Sequence, residues 1–437
     1  MGFNKKTIRG IDLSGKTVLL RADYNVPVED GKLTDDYRIK QSVPTVQYLL
    51  DQNCKVIICS HLGRPKGPDD KEASLEPVAV RLGEIMSRHV AFVHDCIGDD
   101  VKWAAGELQQ GQILLLENVR YHPEEEANDE GFARAIVEAT GAEIFVQDGF
   151  GVVHRAHATT DAVARMLPSV AGFLLEKEVD AITSAMHDPV RPLMTIIGGA
   201  KIADKIDVLK KFVEISDFVA VIGGMANTFL LAEGHKMGKS LVDVEDVGMA
   251  QEIMEIAKAK SENQKFTFLI PVDVVVSTDI EGKQPTRIID ISGHTFADIT
   301  TYPKQPPPEA YSLRDDEAIF DIGPMTAAMI AGAIKVTGTA IWNGAAGVTE
   351  TEGLAGAQPP FEHGTKVIVD SLIGAHRQDK NKPKTVVGGG DTIGYVESKG
   401  LVEDFDHVST GGGASLDLMA GKELPGVAVL QDLHEDN

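Results

Sequence analysis

Short apolar runs in this chain stop abruptly at clusters of residues able to hold an anion. In the first half the clusters are rich in Arg, Asp, Asn and His: RADYN from residue 21, SHLGRP from 60, ENVRYHPEE from 117 and DGFGVVHRAH from 148. Asp23 and Asn25 follow one run, His61, Gly63 and Arg64 another, and Arg120 and Arg155 two more. Arg38 opens a predicted helix, where the helix dipole disfavours a cation, which suggests that it serves a ligand. Arginines from several strand ends of one sheet converge on one crevice, and the planar guanidinium fork suits phosphate or carboxylate.

The second half uses glycine instead: GGAK from 198, GGMAN from 223, NGAAG from 343, GGGDT from 388 and STGGG from 409. Lys201 and Lys205 are expected one turn apart at a helix start. Backbone N–H groups and helix N-termini favour phosphate. Asp391 is a candidate ligand for the Mg²⁺ that accompanies nucleotide phosphates. GIDLSGKT at 10–17 satisfies a P-loop pattern, but a P-loop needs a strand before it and a helix after it. Here the flanks read polar and then strand, so the match is set aside. No GxGxxG is present.

These clusters must sit at the carboxyl ends of parallel strands, where open α/β sheets bind ligands. Strand-like runs alternate with helical patterns at 38–51, 77–88, 130–140, 202–212, 247–260 and 326–336, which is the rhythm of βαβ units. With 437 residues the chain exceeds what one core usually organises, so two domains are expected. The amphipathic segment 172–187 falls where the motif chemistry changes and is read as the connection between them. The stretch 290–318 is polar, carries three prolines in a row and breaks the rhythm, so it reads as an inserted surface excursion.

The 42 basic against 66 acidic residues give a net charge of −24, which argues against nucleic acid and against anionic membrane surfaces as partners. Three cysteines, Cys54, Cys59 and Cys96, without a CxxC, suit core thiols in a reducing, cytoplasmic setting. The first 16 residues contain no apolar signal core, and no apolar run is long enough to span a bilayer.

Taken in order, RADYNVP, SHLGRP, LLENVRYHPEEE, HRAHATT, GGAKIADKI, GGMANTFL, LIPVDVVV, DIGP, GGGDT and HVSTGGGASL closely resemble the phosphoglycerate kinase family, from about residue 5 to 427. The resemblance implies two Rossmann-like three-layer α/β domains with parallel sheets facing across a hinged cleft. It implies a phosphoglycerate-binding domain at 1–171, rejoined by a C-terminal segment at about 420–437, and a nucleotide-binding domain at 188–419. The implied reaction is reversible phosphoryl transfer from 1,3-bisphosphoglycerate to ADP, by a monomer using Mg²⁺. Asp23, Asn25, Arg38, His61, Leu62, Gly63, Arg64, Arg120 and Arg155 would hold the phosphoglycerate. Lys201, Lys205, Ile319, Asn343, Glu350, Gly389, Gly390, Asp391 and Thr392 would hold the nucleotide, with Asp391 at the metal. Arg38, Lys201, Gly390 and Gly412 would meet the transferring group.

Four positions depart from the family pattern, the least consequential being Gly149 in DGF at 148–150, where the family has alanine. Ala345 replaces a proline after WNG and Thr349 replaces an aromatic before Glu350, so a looser turn is expected. Ile319 replaces a glycine, so crowding of the adenine and a weaker base preference are expected. A P-loop kinase fails on context. A non-catalytic metabolite-binding protein on this fold is the other reading, and it would be favoured by loss of Arg38, Lys201 and Asp391; all three are present.

Overall fold

The computed structural model describes residues 3–29, 31–67, 69–291, 312–375 and 382–433. The chain forms two compact units, one of Met1–Thr183, Gly413–Leu418 and Lys422–Asn437, the other of Ser184–Gly412 and Met419–Gly421. The helix Phe173–His187 runs from the first into the second.

The first unit is built on a six-stranded sheet in the order Val90–Val93, Ile113–Leu116, Lys55–Cys59, Thr17–Arg21, Ile144–Gln147, Ser169–Ala171, with every pairing parallel. Alternate side chains leave opposite faces of a strand, and both faces are covered here. Val18, Leu20, Val56, Ile58, Ile113 and Leu115 enter one core, while Leu19, Ile57, Leu114, Leu116 and Phe145 enter the other. That two-sided burial is why these runs read as continuously apolar. Cys54, Cys59 and Cys96 are buried free thiols.

The last described residues fasten this unit to its beginning. Lys5 Nζ donates to the carbonyls of Ala428 (2.9 Å) and Leu430 (3.0 Å) and pairs with Asp432 (2.7 Å). Gly426 N donates to Val153 O, and Gln431 N to Ser169 O.

The second unit has a six-stranded parallel sheet in the order Thr267–Leu269, Phe218–Val221, Leu193–Ile197, Thr339–Asn343, Lys384–Gly388, His407–Val408. Numbered by chain position this is 3-2-1-4-5-6, the doubly wound order whose switch point lies between the first and fourth strands. It also carries an antiparallel sheet of Arg287–Asp290, Asp273–Ser277 and Ala318–Ile322, which the parallel pattern does not anticipate. The expected excursion at 290–318 thus has strands at both flanks, joined by the pairing of Arg287 with Glu317. Its centre, 292–311, lies outside the described residues.

Three helices begin on a buried carboxylate supplied from a strand end. The first amides of a helix lack internal acceptors. Asp148 Oδ1 accepts from Leu174 N (2.9 Å) and Leu175 N (3.2 Å), and Thr45 Oγ1 accepts from Phe173 N (3.0 Å). Asp273 takes the amides of Met325 and Thr326 at the helix Pro324–Lys335. Asp321 Oδ2 takes Gly364 N in the helix His363–Leu372. Each carboxylate lies against a glycine: a Cβ on Gly172, Gly323 or Gly364 would fall 2.2, 2.2 or 2.4 Å from it.

Burial pushes the Asp148 carboxyl from 3.8 up to about 7, against the opposing pull of Thr45 and the two amides. Between about pH 4 and 7 the folded protein therefore keeps a proton that the unfolded chain has lost, and this group's contribution to stability falls as pH rises through that window. Asp148→Asn keeps an acceptor for the helix and removes the titration. Its melting temperature relative to the unmutated protein should climb steadily from about pH 4.5 to 7.5. Parallel melting profiles would refute the assignment.

Candidate active site

In the first unit the predicted residues gather at the carboxyl ends of the strands. Asp23 is buried, accepts from Asn25 N (3.1 Å) and pairs with Arg38 at 3.4 Å. Arg38 Nη1 also donates to Asn25 O (2.9 Å). Gly63 stands at φ +60° and is gripped on both sides: its N–H donates to Asn25 Oδ1 (2.8 Å) and its carbonyl accepts from Arg120 Nη1 (2.8 Å). Leu62 is buried behind it, its carbonyl taken by Asn118 Nδ2 (2.7 Å). Arg64 and Arg155 are exposed. Arg120 Nε lies 3.1 Å from Glu126 Oε1 as an ion pair, without the alignment of a hydrogen bond.

The field here is positive in a strongly acidic chain. Burial, then Arg21, Arg120, Arg38 and His157, hold His61 well below the usual histidine range. Burial, then Arg120 and Arg21, hold His157 at about 4. Burial also lowers Arg120, with Arg21 and Arg155 adding to the effect. A cavity wall that resists further positive charge favours an anion.

In the second unit the site forms at the switch point of the sheet. Lys205 Nζ donates to Gly198 O and to Asn343 Oδ1 (2.6 Å), tying the ends of the two strands that flank that point. Burial lowers this lysine to about 8, although Asp391 and Asp204 pull it upward. Backbones meet closely around it. A Cβ on Gly344 would lie 2.4 Å from Gly198 O, and one on Gly198 2.8 Å from Ala345 O. Gly389, at φ +94°, packs on the Asn343 side chain, whose buried Nδ2 has no partner. The helix Gly390–Ser398 starts there without a side-chain cap. Among the described residues no acceptor meets the N–H of Gly390, Asp391 or Thr392. Thr392 Oγ1 is occupied by Gly344 N (2.7 Å). Asp391 is exposed in the first turn, and Glu350 is exposed in the turn after Asn343.

Several expectations change. Lys201 and Lys205 do not share a helix start: a short 3-10 turn, Ala203–Lys205, precedes the helix Ile206–Ile215, because Gly199 at φ +151° and buried Ile202 direct the chain differently. Lys201 is exposed, 3.8 Å from Asp243. The turn at Ala345 is not loose. Trp342 Nε1 donates to Gly344 O (2.8 Å) and Ala346 N to Thr365 Oγ1 (2.9 Å), which pin it without a proline. Ile319 packs against the small core of Leu230, Met237, Val274 and Val276, and its N–H donates to Ser240 Oγ. That core accommodates the branched side chain, so crowding of a base by Ile319 loses its main support. Gly412 is the last residue of the second unit's main span, just before the helix Gly413–Met419.

A single carboxylate beside unengaged amides suits Mg²⁺, which takes one or two carboxylates plus phosphate oxygens. Elsewhere, Asp95, Cys96 and His122 bring possible metal-ligating atoms within 4.8 Å. Asp95 Oδ1, however, already accepts from Cys96 N (2.7 Å) and contacts His122 Nε2 (2.8 Å), which makes the trio a hydrogen-bonded latch.

The family model described as phosphoglycerate kinase matches residues 8–422. The chain belongs to the phosphoglycerate kinase family. It is 42% identical to the phosphoglycerate kinase of Moorella thermoacetica, over 98% of this chain and 99% of that one. It is 43% identical to that of Chloroflexus aggregans, over 98% and 100%. The phosphoglycerate kinase structure from Coxiella burnetii superposes with a TM-score of 0.79 at 33% identity, covering 97% of this chain and 98% of that one. The structure from Pyrococcus horikoshii OT3 gives 0.78 at 28% identity, covering 97% and 98%. The activity is accordingly that of a phosphoglycerate kinase, reversible transfer of a phosphoryl group between 1,3-bisphosphoglycerate and ADP. No helix among the described residues is long and apolar enough to cross a membrane.

Reading the sequence missed Arg21, Glu125, Thr159 and His157, all of them buried. The available signal was an arginine closing an apolar strand, VLLR, with no exposed position to occupy.

An anion seated among these arginines compensates their charge and must raise the pKa of His157 from about 4. Histidine NMR titrations with and without tens of millimolar sulfate should show a shift of roughly one unit. An unchanged His157 would mean that Arg120 and Arg21 do not serve a common anion site.

Proposed function

We propose that the first unit holds 3-phosphoglycerate through Asp23, Asn25, Arg38, His61, Leu62, Gly63, Arg64, Arg120 and Arg155. The second unit holds the nucleotide through Lys201, Lys205, Ile319, Asn343, Glu350 and the Gly389–Thr392 turn. Asp391 supplies the protein ligand for Mg²⁺, and the enzyme works as a cytoplasmic monomer. The observation that carries this reading is the pairing of two complementary anion sites in one chain: a cationic cluster made of side chains, and a switch-point cradle made of backbone amides with Lys205 at its base.

In the ATP-consuming direction the nucleophile is the carboxylate of 3-phosphoglycerate, already ionised at neutral pH. A carboxylate oxygen forms a bond to the γ-phosphorus as the bond to the ADP oxygen breaks, and no proton moves. No general base is required. The work left to the protein is alignment and neutralisation of charge on a loose phosphoryl transition state. Arg38 and Lys201, with the amides of Gly390 and Gly412, meet the transferring group. When bound, Mg²⁺ neutralises phosphate charge beside Asp391. The reaction itself requires donor and acceptor to reach in-line distance, which also keeps water out.

The test is Mg²⁺-dependent ATP consumption with 3-phosphoglycerate, coupled through glyceraldehyde-3-phosphate dehydrogenase to NADH oxidation. Activity should vanish without 3-phosphoglycerate. Lys201→Ala should lower kcat by about 10²- to 10³-fold with KM values nearly unchanged, as for loss of one transition-state charge contact. Raised KM with unaltered kcat would remove Lys201 from that role.

Lys205 gives a second check. With a pKa of about 8 it is partly neutral at pH 8.5. Nucleotide phosphate beside it favours the charged form, so MgADP binding must take up protons there. Calorimetry at pH 8.5 in buffers of different ionisation enthalpy should report that uptake, and Lys205→Met should abolish it. Equal uptake in both proteins would place the nucleotide away from Lys205.

A further inference from the structure

Behind the anion-facing residues of the first unit lies a chain of four buried polar side chains that the reaction does not obviously use. Glu125 is fully buried, accepting from Thr159 N (2.9 Å) through Oε2 and from Thr159 Oγ1 (2.6 Å) through Oε1. That hydroxyl has given up its only proton, so towards Arg21 it can only accept, and Arg21 Nε donates to it at 2.8 Å. Arg21 Nη1 donates to Ala22 O. The guanidinium plane is thus fixed at two points before Nη2 reaches His61 Nδ1 at 3.2 Å. A guanidinium has no acceptor, so Nδ1 must be the acceptor and the ring proton must sit on Nε2. Among the described residues nothing accepts from that Nε2.

We propose that Glu125, acting through Thr159 and Arg21, is the positioning residue that locks His61 in its Nε2–H tautomer, so that the ring offers a neutral donor to an anionic oxygen of the phosphoglycerate. This rests on the reading that the first unit holds that substrate. The groups facing the ring are Arg21, Arg38, Arg120 and His157, with Asp23 Oδ1 4.0 Å from Nδ1. A charged imidazole would add repulsion among these arginines. A neutral N–H adds a directed contact without adding charge, and preorganised donors in a water-poor site are effective. Glutamate is suited to the base of the chain because Thr159 needs two acceptors at once and Arg21 needs a counter-charge. Glutamine has one oxygen and no charge.

Histidine ¹⁵N NMR, with His61 assigned by loss of its signals in His61→Gln, tests the lock directly. In the unmutated protein His61 should remain a neutral Nε2–H ring from about pH 5.5 to 9, as burial among arginines dictates. Thr159→Val, which removes only the hydroxyl link, should give mixed tautomers. It should also raise KM for 3-phosphoglycerate about tenfold, the scale of one hydrogen bond to a charged group, with kcat and KM for ATP within about twofold. Thr159→Ser should restore both the tautomer and KM, which general loosening of the fold would not do. If Thr159→Val fails to fold, Glu125→Gln is read the same way. An Nδ1–H ring, an ordinary histidine titration, or an unmoved tautomer and KM in these variants overturns the proposal. Adding 3-phosphoglycerate to the unmutated protein separates the two layers. If the tautomer is as stated but the ring does not respond to the ligand, the lock stands and the substrate reading of the first unit fails.

Discussion

Where a helix finds acceptors for its first amides decides what each strand end in this protein can do. At Asp148, Asp273 and Asp321 a buried carboxylate from a strand end accepts those amides, and a glycine lets the backbone close over it. In the helices Phe173–His187 and Pro324–Lys335 the first amides are thereby engaged within the protein. The helix Gly390–Ser398 lacks such a carboxylate and is entered through Gly389, so its first amides face outward unengaged. The contrast is chemical: ends sealed by internal carboxyl groups hold the fold, and the end left open awaits an external anion.

The two units solve the same problem by different means. In the first, cations are carried on side chains whose positions are fixed by acidic partners: buried Asp23 against Arg38, buried Glu125 beneath Arg21, and exposed Glu126 against Arg120. Truncating one partner of such a set leaves the other uncompensated in a low-dielectric setting, which is costly. In the second, partial charges on the backbone carry most of the burden, and Lys205 serves as a rivet across the switch point as much as a charge. Backbone dipoles need no counter-ion, which fits the glycine-rich make-up of this half-site.

Much of this was legible in the sequence because parallel strands buried on both faces leave unbroken apolar runs, and those runs located the central strands. The edge strands Val90–Val93, Ser169–Ala171 and Thr267–Leu269 were not legible: each is three or four residues long, and none runs into an Arg- or Gly-rich cluster of the kind that marked the equally short central strands. The antiparallel sheet was hidden because Val274–Val276 looks the same in either kind of sheet. Lys205 was visible as a lysine near glycines, but its place across two strands depends on a strand order that no local pattern contains. Arg21 and Glu125 were invisible for a related reason. Charged residues usually signal surface, and only the folded chain brings each the partner that permits its burial.

The strap that ties the chain's last described residues to Lys5 and Val153 has a consequence for synthesis. A ribosome has delivered the whole sheet of the first unit once Ala171 emerges, yet the residues that close over it, 422–433, come only after the entire second unit. At about 5–20 residues per second this delay is on the order of tens of seconds. Throughout that interval the Lys5 ammonium lacks the carbonyls of Ala428 and Leu430 and the Asp432 carboxylate. The nascent first unit therefore waits with an open seam, and its completion is tied to residues 422–433 having been made.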